Sequence, residues 1–429
     1  MVKKTYTTDV LVVGGGISGT ISAIAAARNG CGVVLVEKGN CLGGSATAGM
    51  LGEINGAYLH GAPIVSEIGR EIIERLFSQG AGFFQGNVPM SANPDITVDR
   101  VRYNCEYLKL ILDEMVEKEG IEVFFGCGLQ HIVKTPSGVT LTVTNLYDEI
   151  QINGTVLIDS TGNSECIYLL GENTITTERE NKQAVTTMFR LGGIDIPEFE
   201  TVTMEQIQEI IRLGKNNGTL PGSILSMLRV PGTDTIAVNC TRCSNVDHES
   251  IEDVSRALLE TRQQIRRITP FLREHVPGCR NAYISAIASS LGIRDRRRID
   301  GVYEITSEDI IDCYRFEDSV AIGVYPVDIH RKNESGRAVE FIKIKGDGIY
   351  KIPYRSMLPK SLDNVIANGK CIAADDIAYG AFRVMGTLMN IAVAAGTAAA
   401  MAVKEDISTK ELSVPKLQSR LRQMGIREI

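Results

Sequence analysis

Short apolar runs that stop at glycine punctuate the first forty or so residues and set the reading of the chain. Thr8–Val13 is β-branched and ends in Gly14-Gly15-Gly16, as a buried strand would. Ile17, Ile21 and Ile24 then recur at helical spacing, with Ser18, Ala23 and Ala26 small enough for close packing. A helix is predicted over Ile17–Asn29, closed by Asn29-Gly30. Gly32–Glu37 is a second apolar strand, so the segment forms one βαβ unit and implies a parallel sheet.

Helical patterns follow over Pro63–Gln79 and Asn104–Glu119, and strands over Ile121–Phe125, Val139–Asn145 and Val156–Ser160. From about Ala184 longer amphipathic helices, Met204–Leu213 and Ser250–Arg273, alternate with short strands. Asn364–Ala367 then reads as another buried parallel strand, followed by an Ala-rich helix. The chain therefore leaves its first domain and returns to it. Residues 1–183 and 360–429 make a nucleotide-binding domain, and residues 184–359 an inserted α+β domain that shapes a substrate pocket. The fold class expected is α/β. Val384–Val403 is 20 residues without a charge, long enough to span a bilayer. Its Ala and Gly content and Asn390 instead predict a buried helix against a sheet, so no membrane association is expected.

Composition narrows the classes. A net charge of −7 argues against a nucleic-acid partner, which would need a basic face. Ten cysteines at irregular spacing are not a secreted disulfide framework, and free thiols in a reducing cytoplasm are expected. The N-terminal MVKKTYTTDV has no apolar stretch before a cleavage site, which agrees with a cytoplasmic protein. No cysteines or histidines have zinc or iron–sulfur spacing, so no metal is expected. Cys240-Thr241-Arg242-Cys243 is a C-x-x-C, but it trails a strand instead of opening a helix, and redox use is not expected.

Gly14-Gly15-Gly16-Ile17-Ser18-Gly19 fits G-x-G-x-x-G. Gly14 permits the tight turn, Gly16 lets the backbone approach a pyrophosphate, and Gly19 lets the helix lie close to the strand. The helix end offers free N–H groups and partial positive charge to phosphates. Glu37 lies 18 residues past Gly19, where a carboxylate accepts hydrogen bonds from a ribose diol. A second glycine pair in Leu42-Gly43-Gly44-Ser45 lets backbone pass close to the far end of a long dinucleotide, which favours FAD over NAD. A second G-x-G-x-x-G for a nicotinamide nucleotide is not found: Gly192-Gly193 and Gly346-Asp347-Gly348 lack the following helix.

These motifs resemble the glutathione-reductase-type FAD-binding fold, and more specifically the bacterial FAD-dependent oxidoreductase family. The matching stretches are VVGGGISG, EKGNCLGGSATAG, IDSTGNSE, SLGIRDRRRIDG, GVYPVDIH, IPYRSMLPK, NVIANGKCIAA and FRVMGTLMNIAVAAGTAAA. The resemblance implies FAD contacts from Gly14, Gly16, Ser18, Gly19, Glu37, Lys38, Gly43, Gly44, Ser45, Thr47, Gly162, Asp375, Gly386, Met389 and Asn390. It also implies that the helix beginning at Met385 points its N-terminus at the flavin pyrimidine edge, where its dipole would stabilise negative charge. One departure is visible: relatives often carry Thr-His-Glu where this chain has Asp375-Asp376-Ile377.

Substrate-side candidates come from the later segments. In Tyr325-Pro326-Val327-Asp328-Ile329-His330 the alternation puts Asp328 and His330 on one face of a strand, where the carboxylate can orient the imidazole for proton transfer. Arg294, Arg296, Arg297 and Arg298 form a basic run, which most often is a solvated face; alternatively one or two of them clamp a carboxylate. Arg383, just before the Ala-rich helix, is the stronger anion candidate, with Tyr354 and Arg355 also near the domain junction. His60 is read as a loop histidine. The catalytic candidates are therefore His330, Asp328, Arg383 and Arg294. The activity expected is hydride transfer between a small anionic organic substrate and non-covalently bound FAD. The sequence leaves the electron acceptor undetermined and is compatible with a homodimer. Two alternatives stand beside it. One is a non-catalytic FAD-binding subunit of a larger complex. The other is a thiazole-synthase-like flavoprotein, although those chains are shorter and lack such an insert.

Overall fold

The computed structural model describes residues 4–90, 93–330 and 340–429. Residues 1–3, at the start of the segment read for a leader, lie outside them. The predicted βαβ unit is present as β1 (Lys4–Val13), α1 (Ile17–Arg28) and β2 (Val33–Val36). Val10, Leu11, Val12 and Leu35 are fully buried, as strands covered on both faces require. β1 runs parallel to β2, with Val10 opposite Val33, and parallel to the strand Glu149–Asp159, with Val10 opposite Val156.

The main sheet has the spatial order Glu122–Phe124, β2, β1, Glu149–Asp159, Gly138–Thr144, Gly128–Thr135. The last two strands form an antiparallel meander. Val365–Ala367 pairs parallel with the end of Glu149–Asp159, Asp159 opposite Ala367, so the return of the chain to this sheet is a strand pairing. The uncharged run is the helix Met385–Glu405. It is long and apolar enough to cross a membrane, yet 89% of its most apolar window is buried inside the protein. Its small residues are explained by α1, because a Cβ on Gly396 would overlap the Ser22 carbonyl.

Three differences from the sequence reading have local causes. The helix predicted from Pro63 starts at Glu67, because Ser66 caps it by accepting from Gly69 N–H, while Ala62–Pro63 pairs with Tyr58–Leu59. A hairpin of Gly82–Met90 and Asn93–Tyr103, joined by Glu53–Asn55, was not predicted; its first strand is exposed on both faces and has no apolar alternation to detect. The strand Gly128–Thr135 was not predicted either: its inward residues Leu129 and Ile132 are three apart, across a register shift, and so break the alternation of a regular strand.

A second, antiparallel sheet has the order Ser226–Arg229, Ile236–Asn239, Phe189–Gly192, Tyr283–Ile287. It has its own core, where Phe189, Leu191 and Val238 meet Ile210 and Ile211 of the helix Met204–Asn216 and Ile265, Ile268 and Leu272 of the helix Ile251–His275. Residues between Ile299 and Leu358 bury their apolar side chains in the larger core with the main sheet.

Candidate functional site

The three signature glycines divide into two that the protein itself requires and one that it does not. Gly14 has φ +100°, and a Cβ there would overlap the Ser160 carbonyl oxygen. A Cβ on Gly19 would overlap the Gly14 carbonyl oxygen, so Gly19 sets how close α1 lies to the turn. Gly16 has ordinary extended backbone, φ −61° and ψ 174°, and a Cβ there would meet nothing within 4 Å. Packing does not call for glycine at Gly16, but a group approaching the amino end of α1 does. That helix end has no side-chain cap and no acidic residue in its first turn, so its positive end is left for an outside anion.

The surrounding loops close on this turn. Gly43 (φ +96°) donates its N–H to Gly15 O at 2.8 Å, and a Cβ on Gly44 (φ +54°) would stand 3.1 Å from Gly16 Cα. Ser45 is exposed beside them. Glu37 accepts from Gly15 N–H and Gly39 N–H, each at 2.6 Å, which fixes its carboxylate at the rim of the turn. A carboxylate has about four lone-pair sites, so acceptor capacity remains for a diol. Lys38 is exposed, 3.7 Å from Glu165. Gly162 (φ +69°) follows the buried Asp159, whose carboxylate accepts from Thr161 N–H, Thr161 Oγ1 and Ile167 N–H. Asn368 Nδ2 donates to Ser18 O and Ser160 Oγ, tying the returning segment to the same turn. An open helix end, a fixed rim carboxylate and two further glycine turns fit a dinucleotide.

Five residues carried over as cofactor contacts have other work. Met389 and Asn390 expose no surface. Asn390 Oδ1 accepts from Ser66 N–H, and its Nδ2 donates to Ile64 O and Ile322 O, so it braces two backbone segments. Gly386 is a packing glycine, since a Cβ would overlap the Gly56 backbone. Thr47 is buried and donates to Leu42 O at 2.5 Å, holding the glycine turn from inside. Asp375 caps the helix Asp376–Phe382 through Ile377 N–H and Ala378 N–H, and its other oxygen accepts from Ser307 N–H. Asp376, the second residue of the sequence departure, pairs with Arg298 at 2.7 Å.

All four catalytic candidates converge. On the strand Val327–Ile329, Val327 and Ile329 face the core, and Asp328 and His330 share the other side. His330 Nε2 lies 3.0 and 3.1 Å from the two oxygens of Asp328. Arg383 Nη2 is 3.6 Å from Asp328 Oδ2 and donates to Asp328 O at 2.8 Å. Arg294 donates to Ala184 O at 2.7 Å and to Thr186 Oγ1 at 3.3 Å. It shares a small pocket with Arg242, Asn239 and Thr241.

Burial works to raise the Asp328 carboxyl, but His330, Arg383 and Arg294 outweigh it and hold the group ionised, below its ordinary range. Burial and the Arg294 charge push His330 the other way, toward the neutral imidazole, against the pull of Asp328. With Nε2–H donated to Asp328, Nδ1 is left as an acceptor, and among the described residues it has no partner.

Sequence reasoning missed three members of this cluster. Gln183 Oε1 accepts from His330 N–H at 2.8 Å and from Arg383 Nη2 at 3.3 Å, while Gln183 donates from both its backbone and side chain to Asp295. Arg242 Nη2 donates to His330 O at 2.9 Å. Arg242 was visible only as the interior of the C-x-x-C, whose own thiols are buried and pushed up, Cys240 to about 12 and Cys243 to about 11. The basic run is not a solvated face, which corrects the reading from composition. Arg298 is 1% exposed, paired with Asp376 and lying over the Tyr379 ring; Arg297 is buried against Glu249 and Tyr168. Tyr354 donates to Thr409 O and Arg355 pairs with Asp318, and these contacts take both elsewhere. His60 is an exposed loop residue at φ +51°.

Solved structures share this architecture at low identity. The p-nitrophenol 4-monooxygenase PnpA of Pseudomonas putida DLL-E4 is 11% identical, with a TM-score of 0.51 over 99% of this chain and 90% of that one. A geranylgeranyl bacteriochlorophyll reductase-like protein of Thermoplasma acidophilum is 16% identical, with a TM-score of 0.48 over 98% and 83%. A variant of the halogenase PltM in complex with FAD is 11% identical, with a TM-score of 0.48 over 96% and 73%. Of these three, the PnpA likeness bears on the fold, and on the fold alone. No curated protein sequence matches the chain. The profile of the FAD dependent oxidoreductase family matches residues 9–421, nearly the whole length, and the chain belongs to that family, an enzyme whose cofactor is FAD.

Proposed function

We propose that this oxidoreductase transfers a hydride between a small anionic organic substrate and non-covalently bound FAD. When bound, FAD supplies the two-electron chemistry. The chain's own residues bind, orient and move a proton. The observation that carries the reading is the half-buried Asp328–His330 pair set among Arg294, Arg383 and Arg242. His330 Nδ1 takes the proton released when a substrate hydroxyl or amine is oxidised, or returns it in the reverse direction. Asp328 fixes the ring and favours the imidazolium that forms. Arg294 and Arg383 hold the substrate anion, since three guanidiniums outnumber the two carboxylates near them, Asp328 and Asp295.

On the cofactor side, Gly14, Gly16, Ser18 and Gly19 would hold the pyrophosphate at the end of α1, and Glu37 would accept hydrogen bonds from the ribose diol. Lys38, Gly43, Gly44, Ser45 and Gly162 line the rest of the cradle. Residues 184–359 cover the cofactor and contribute Arg242 and Arg294 to the substrate pocket. The test is anaerobic mixing of the holoenzyme with a panel of small hydroxy, amino and unsaturated acids and their neutral analogues, followed by flavin absorbance. Bleaching by at least one acid and not by its neutral analogue is the expected result. Bleaching by the neutral compounds alone, or unchanged turnover in both His330→Ala and Arg383→Met, would overturn the reading.

A further inference from the structure

Lys370 lies where the returning chain meets the nucleotide turn. Gly369 (φ +66°) passes so close to α1 that a Cβ on it would stand 2.6 Å from Ser18 Oγ, and Asn368 is tied to Ser18 and Ser160. The Lys370 side chain crosses the Gly162 turn, its Cε 3.6 Å from the place a Gly162 Cβ would take. Its ammonium donates to Ile293 O at 3.3 Å. Among the described residues it makes no ion pair, and an ammonium has three N–H donors to satisfy.

The charges that face it are of the wrong sign for a resting lysine. Arg296 and Arg383 are cations, and Asp295 is engaged by Gln183. The neighbouring Cys371 thiol is pushed up to about 12 by burial and stays neutral. Burial and the two guanidiniums push Lys370 down to about 7. A half-buried ammonium among cations is poorly placed unless an anion completes the site. The surface beside it that is built for an anion is the uncapped end of α1, against which its own segment is packed.

We propose that Lys370 is a second phosphate anchor for FAD, acting with the amino end of α1 and joining the nucleotide turn to the Ile293–Arg298 segment. This rests on FAD being the cofactor and not on the hydride-transfer reading. In the FAD-free protein Lys370 shares its proton with solvent near neutral pH. A bound pyrophosphate favours the ammonium, so binding takes up a proton at alkaline pH and weakens as pH rises.

The test is calorimetric titration of the FAD-free full chain with FAD, and separately with ADP, at about pH 8 in two buffers of different ionisation heat. Net proton uptake with both ligands is expected, with affinity falling up to about tenfold per pH unit above neutrality. Lys370→Arg removes the uptake and flattens the pH dependence. Lys370→Met binds FAD at least about tenfold more weakly at about pH 6.5, the loss of one charge-assisted contact. No proton uptake by the unmodified protein, uptake with FAD but not with ADP, or unchanged uptake in Lys370→Arg would each overturn the proposal. The first two readouts need no variant to fold.

Discussion

Arg383 Nη2 stands 3.6 Å from the Asp328 carboxylate and donates to the Asp328 carbonyl at 2.8 Å, so one guanidinium grips the side chain and the backbone of the same residue. A third contact, to Gln183 Oε1, leaves its Nε without a partner among the described residues. Replacement by methionine keeps an unbranched apolar stem and removes the charge. For Arg383→Met we expect KM for an acid substrate to rise about 10- to 100-fold, the range of one charge-assisted contact. Steady-state kinetics with whichever acid bleaches the flavin checks this. Unchanged KM would remove Arg383 from the anion site.

Depression of His330 makes the fold acid-sensitive above the ordinary carboxylate range. Its pKa is lowered from 6.5 to about 4, chiefly by burial and by Arg294. Between those values the unfolded chain binds more protons than the folded one, so stability rises with pH and falls as pH drops through the window. The loss reaches roughly 2–3 kcal/mol by about pH 4. Asp328 is held low, so its stabilising share survives until below that window. Denaturant unfolding at about pH 7, 6 and 5 measures the slope, and His330→Asn is expected to flatten it. An equal slope in the variant would contradict the burial of a neutral His330.

Arg298 gives a stability test away from the proposed chemistry. Its side chain is enclosed, while its partner Asp376 is 34% exposed. Asp376→Ala leaves an enclosed guanidinium without that charge and is expected to cost roughly 2–3 kcal/mol, less than a fully buried pair because water reaches the carboxylate. Adding Arg298→Met should recover part of the loss. Thermal unfolding of the single and double variants decides the matter, and an undisturbed Tm in Asp376→Ala would show the pair to be idle.

The parts of this account that were legible in the sequence are those fixed by local periodicity. The βαβ unit announces itself through glycine punctuation and isoleucine spacing, and the Asp328–His330 pair through strand alternation. The misreadings share a different cause. The basic run reads as solvated because its compensation comes from distant positions, Asp376 and Glu249 for the charges and Tyr379 and Tyr168 for the ring faces. Gln183 lies in no motif, Arg242 only inside the C-x-x-C and Asp295 only within the basic run; the approach of three separate segments brings them to His330 and Arg383. Asn390 was expected to touch the cofactor only because the family resemblance implied it. Its actual partners, Ser66, Ile64 and Ile322, belong to segments whose proximity no local pattern encodes.

The signature glycines separate packing from binding. In Gly19→Ala the new methyl would overlap the Gly14 carbonyl, so α1 must shift and stability should fall by about 1–3 kcal/mol. Gly16→Ala adds its methyl to open space at a backbone conformation that alanine adopts freely. The measurement that bears most directly on the central claim is the FAD dissociation constant of Gly16→Ala beside the unmodified protein, with the Tm of both FAD-free chains. FAD lying over the end of α1 predicts an equal Tm and affinity weakened by about tenfold or more. Equal affinity in the two proteins would contradict it, and the cofactor would have to be held elsewhere on the chain.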